Sequence, residues 1–131
     1  RRVCSSDAVV LGLIESRRTM LTADENSLFT DYQVSVIEAV ALVPSATRII
    51  ATHGGGEAIV GGQLTRDFAS DDDLPKLQLR QRYLLVLRSI TNLWQDGVYE
   101  LTGRGPNGDT FPETEYPRAV SIRANCGRSI R

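Results

Sequence analysis

At 131 residues, 41% of them hydrophobic and 24% charged, the chain has the size and composition of one globular domain with its own core, which excludes wholesale disorder. A formal net charge of -1 removes any overall pull toward nucleic acid or an anionic bilayer, and no stretch reaches the roughly 20 apolar residues of a membrane-spanning helix. The charge is uneven, with 6 basic and 11 acidic side chains in residues 1–75 against 9 and 5 in residues 76–131, a pattern expected of two faces of one domain.

The chain opens on Arg1-Arg2 instead of Met, which reads as a trimmed N-terminus and leaves room for a removed export signal. Ala8-Val9-Val10-Leu11-Gly12-Leu13-Ile14 is a short, β-branched apolar run between polar flanks and predicts a central strand buried on both faces. Residues 22–27 (Thr-Ala-Asp-Glu-Asn-Ser) are turn formers and predict a hairpin loop. In residues 29–40, Tyr32, Val34 and Val36 alternate with Asp31, Gln33 and Ser35, the period of two of a strand with one wet face. A third strand is expected over 47–52, after the breaker Pro44, and a fourth over 57–60 between two glycine clusters. Residues 67–75, with three consecutive aspartates, read as a surface loop.

Residues 77–94 allow two readings, because Tyr83, Leu87, Ile90 and Trp94 make a helical stripe while residues 83–87 are an unbroken apolar run. The run is short and bounded by Arg82 and Arg88, which favours a buried strand. Residues 98–102 and the segment around Thr110-Phe111 flank a glycine-rich stretch containing Asn107-Gly108, a strong type I′ turn signal, and predict a further hairpin. No repeat or low-complexity tract divides the chain, so residues 1–131 are expected to form a single all-β domain.

The two cysteines, Cys4 and Cys126, lie near opposite ends and match no CxxC or metal-ligand spacing. A bond between them would clasp the termini, stabilise the fold by about 4 to 5 kcal/mol on the chain-entropy account, and place the protein in an oxidising compartment. The competing reading is two unrelated thiols in a cytosolic domain.

Cys4 followed by Ser6-Asp7-Ala8-Val9-Val10-Leu11-Gly12, then Tyr32-Gln33-Val34-Ser35-Val36-Ile37-Glu38-Ala39-Val40, then Arg82-Tyr83-Leu84-Leu85-Val86-Leu87, resembles bacterial domains of the tissue-inhibitor-of-metalloproteinases or netrin-module type over residues 4–102. The resemblance implies an OB-like closed or partly open β-barrel of five to six strands with a flanking helix, in an extracytoplasmic setting. Arg80 or Gln81 stands where those domains often have Gly, and only one disulfide pair is available. The animal inhibitors chelate the protease zinc through a free N-terminal cysteine, whereas Arg1-Arg2-Val3 precedes Cys4, so inhibitory chemistry does not carry over.

Motifs that suggest catalysis are incomplete. His53-Gly54-Gly55-Gly56 matches the oxyanion loop of some esterases, but there is no GxSxG elbow and His53 is the only histidine, which leaves a glycine-rich turn between strands. No GxxxxGK[ST] phosphate loop occurs, and one histidine with two distant cysteines does not make a four-ligand zinc site. Asp67, Asp71, Asp72 and Asp73 lack EF-hand spacing, and pairs such as Glu113 with Glu115 or Glu15 with Glu38 arise by chance among 16 acidic residues. Tyr83, Trp94 and Tyr99 sit among Lys76, Arg80, Arg82 and Arg88, a weak single-strand-binding pattern in which Tyr83 and Trp94 read better as core. The expectation is a non-enzymatic, secreted binding module without cofactor or metal, with a protein or glycan partner. A protease inhibitor and an OB-like binder of single-stranded nucleic acid or oligosaccharide are the alternatives. Oligomeric state stays open.

Overall fold

The computed structural model describes residues 2–23, 25–42, 45–67, 77–90, 97–101 and 110–127. A single turn of helix, α1 (Arg2–Ser5), leads into two long strands, β1 (Ala8–Leu21) and β2 (Leu28–Leu42). They are followed by β3 (Arg48–Gly54), β4 (Gly56–Val60), β5 (Gln63–Asp67), β6 (Arg82–Ser89), β7 (Val98–Leu101), β8 (Thr110–Pro112) and a C-terminal helix, α2 (Tyr116–Ala124). The all-β expectation holds, and the four predicted strands are present, β1 and β2 longer than expected, β3 shifted to 48–54 and β4 at 56–60.

Five strands close a ring in the order β1-β2-β3-β7-β6 and back to β1. All contacts in it are antiparallel except β3 with β7, where Ile50–Thr52 run parallel to Val98–Glu100. This is an OB-like, partly open barrel, as the resemblance implied. β1 holds it together by pairing with β2 along its whole length and with β6 through residues 8–13.

The apolar runs of β1 and β6 are explained by burial on both faces. Val10, Ile14, Leu85 and Leu87 point into the barrel with Tyr32, Val34 and Tyr99. Val9, Leu84 and Val86 point outward and are covered by Val3 of α1 and Ala119 of α2. The strand reading of residues 83–87 is therefore correct, and Tyr83 packs at the margin of the interior core. Leu77 is also buried in that core. Cys4 and Cys126 are disulfide-bonded and join α1 to α2 across 122 residues of sequence.

One expectation is overturned. Residues 98–102 and 110–111 do not form a hairpin with each other. β7 pairs with β6 at residues 87–89 and β8 pairs with the same edge of β6 at residues 83–85. Leu101 lies opposite Leu87 and Thr110 opposite Leu85, so β7 and β8 are collinear segments along one edge of β6, separated in sequence by residues 102–109. Both segments instead extend the long apolar edge of β6, which offers more burial than a short isolated ribbon.

A strand that the sequence reading passed over is β5. It pairs with β4 across Gly61-Gly62, whose φ angles of 57° and 84° give the two left-handed residues of a tight two-residue turn. Asp67, expected to begin a loop, closes β5, while residues 68–76, the Asn107-Gly108 turn and Trp94 lie outside the described residues.

Candidate ligand cleft

A cleft of about 760 Å³ opens on the outer face of the barrel where β1, β2, β3 and β7 run side by side. Its floor follows from strand register. Ser16, Gln33, Ile50 and Val98 are successive partners across the four strands and form one row, and Ser35 with Arg48 begins the next. Val34 and Ile49, between the rows, turn into the core. The wet face predicted for β2 supplies Gln33 and Ser35, so this half of the site follows from the period of two.

Glu15 enters by a different route. The β1–β2 register runs Ile14 to Val34 and then Ser16 to Gln33, so Glu15 is the extra residue of a β-bulge. A bulge re-aims side chains and brings neighbours that would alternate onto a common side. Here it lets both Glu15 and Ser16 line the cleft while Ile14 stays buried.

The polar groups are already ordered. Ser35 Oγ donates to Glu15 Oε2, and Ser16 Oγ donates to Gln33 Oε1 at 3.1 Å. Glu15 keeps Oε1 as an acceptor and Gln33 keeps its NH₂ as a donor. Arg48 is exposed, and among the described residues no ion pair or hydrogen bond engages its guanidinium. The cleft thus presents acceptors and donors next to an apolar strip made by Ile50 and Val98.

Other residues singled out in the sequence lie elsewhere. His53 is on β3 opposite Thr30, and the glycines after it carry the chain into β4. Thr30 Oγ1 donates to the buried Gly55 carbonyl at 2.9 Å, which gives the His-Gly-Gly-Gly segment a structural role. Glu15 and Glu38 are not brought together, since Glu38 pairs opposite Leu11 and lies near Tyr116. Glu113 pairs with Arg82, and Arg88 is held by Glu100. Tyr99 is buried inside the barrel. Asp71, Asp72, Asp73, Lys76 and Trp94 lie outside the described residues. Among the described residues no three His, Cys, Asp or Glu side chains are grouped to hold a metal, and no helix is long and apolar enough to cross a membrane.

Fold and cleft together define a small, disulfide-clasped, OB-like barrel with a groove of mixed polar and apolar lining across four strands. No protein-family model matches the chain, and no curated protein matches its sequence.

Proposed function

We propose that this domain is a non-enzymatic, extracytoplasmic binding module that takes its ligand in the β1-β2-β3-β7 cleft. The observation that carries the reading is the cleft itself. Its volume falls within the range of small-molecule and oligomer sites, and its polar groups are preordered by neighbouring side chains. OB-like barrels commonly bind on the face formed by their second and third strands, which is where this cleft lies. The Cys4–Cys126 bond accords with an oxidising compartment, and the likeness to netrin-module domains accords with a binding role.

The module is preferred to an inhibitor because Cys4 is tied to Cys126 and the preceding Val3 is buried, its carbonyl accepting a 2.9 Å hydrogen bond from Arg123. It is preferred to a nucleic-acid binder because, among the described residues, the cleft lining carries one cation, one carboxylate and no aromatic platform, while Arg82 and Arg88 are each paired with a carboxylate. Backbone-amide NMR of the domain, titrated with separate oligosaccharide and peptide panels, tests the proposal. Shifts centred on Ser16, Gln33, Ile50 and Val98 are expected. Binding that leaves these amides unmoved, or silence across both panels, would overturn it.

A further inference from the structure

We infer that the ligand of this cleft is a saccharide bearing a carboxylate, a uronic-acid-containing glycan, held with its acid group on Arg48 and its ring hydroxyls on Glu15, Gln33, Ser16 and Ser35. The inference rests on the reading of the cleft as the binding site and names the chemistry it selects. An extended peptide that added itself to the sheet would need unpaired backbone groups. The floor has none to offer along its middle, because β2 is paired with β1 on one side and β3 on the other, and β3 with β2 and β7. Recognition at the floor therefore falls to side chains.

Those side chains suit hydroxyls. Each sugar hydroxyl donates one hydrogen bond and accepts others, so a site for vicinal hydroxyls needs donors and acceptors interleaved at close spacing. The cleft has this arrangement. Glu15 Oε1 is left to accept, Gln33 NH₂ is left to donate, and the Ser16 and Ser35 oxygens retain acceptor capacity after donating their protons. Arg48 is the one cation of the lining among the described residues, and its planar guanidinium matches a carboxylate through two parallel hydrogen bonds. Glu15, beside it, opposes a densely charged chain such as a phosphodiester but tolerates a single carboxylate placed at Arg48. Ile50 and Val98 give an apolar strip for the C–H face of a ring.

The test uses the disulfide-bonded domain with oligomers of galacturonate, of guluronate and of hyaluronan, each beside its carboxyl-reduced counterpart, and acidic peptides as a further set. Affinity is measured by calorimetry and the site by backbone-amide shifts. At least one uronate oligomer should shift the cleft amides and bind about tenfold or more tightly than its carboxyl-reduced form. Arg48→Gln should remove that difference, the affinity of the acid form falling to about that of the reduced form. Equal binding of acid and reduced forms at the cleft, with no effect of Arg48→Gln, overturns the inference and leaves the binding module standing. Acidic peptides that bind the cleft while every uronate fails also overturn it. If no probe moves the cleft amides, both readings fall. Arg48 is exposed, so the Gln variant should fold, and a Gln33→Leu variant provides an independent loss of hydroxyl recognition.

Discussion

A side chain on Gly12 would have no room. A methyl group there would lie 2.4 Å from Val34 Cγ1, at a shift in the β1–β2 register that lets the strand bend around the barrel. Because Val34 is buried, Gly12→Ala should cost about 1 to 3 kcal/mol in urea unfolding, and a neutral result would mean the strand can move aside cheaply. Thr30 is a buried polar link between distant segments. Its hydroxyl donates to the Gly55 carbonyl and must then accept from Thr19, 2.9 Å away. Thr30→Val should therefore lose about 1 to 2 kcal/mol, with Thr30→Ser retaining most of it. Tyr32 reports through pH. Burial pushes its phenol up to about 12 from the ordinary 10, with the nearby Arg17 charge acting in the opposite direction. The folded state thus holds the Tyr32 proton between pH 10 and 12 while the unfolded state releases it, so stability contributed by the neutral phenol is present below pH 10 and lost as pH rises toward 12. Relative to Tyr32→Phe, the wild type should lose on the order of 2 kcal/mol across that window in alkaline unfolding curves.

At the scale of elements, what was legible in the sequence followed local pattern. The alternation in β2 gave both its buried face and the Gln33 and Ser35 half of the cleft, and the apolar runs of β1 and β6 gave strands covered on both sides. Long-range pairing was illegible. Glu15 looked like an ordinary acidic residue because nothing in Ile14-Glu15-Ser16 announces a bulge, which is fixed by where β2 must pair. α2 was implied only by resemblance, since Ala119 is its one buried residue and its stripe is correspondingly faint. The false hairpin shows the same limit, as Asn107-Gly108 specifies a turn but not the strand that the flanks will pair with. The collinearity of β7 and β8 leads to a test. Leu101 and Thr110 flank the position opposite Val86, where one residue suffices to continue the strand. Deleting residues 103–109 should leave a continuous edge strand through Thr102 and a melting temperature equal to or above that of the parent, because the connection between two collinear segments is shortened. A drop of more than a few degrees would mean that the excursion supports the fold.

For the whole molecule, the two cores divide the labour between barrel and clasp. The ring of five strands closes through backbone pairing and an interior core that includes neither helix, whereas α1 and α2 meet the barrel over Val9, Leu84 and Val86, with Val40 of β2 at the margin. α2 has nine residues, too few to persist as an isolated helix, so its place depends on that small apolar patch and on the Cys4–Cys126 bond. Removing the bond by Cys4→Ser with Cys126→Ser should cost up to about 4 kcal/mol in global stability through the freed unfolded chain. The loss should not be uniform. Hydrogen exchange should show the α2 amides losing protection first and the outward face of β1 near Val9 becoming more accessible, while Val34, Leu85 and Tyr99 in the barrel stay protected. The cleft is built by residues 15–16 and their partners on β2, β3 and β7, at the other part of β1 from the residues that α2 covers. Ligand affinity should therefore survive the loss of the disulfide under conditions where the barrel remains folded. Simultaneous loss of α2 protection, barrel protection and cleft binding would instead make the clasp part of a single cooperative unit, and the barrel would owe its closure to the bond between its ends.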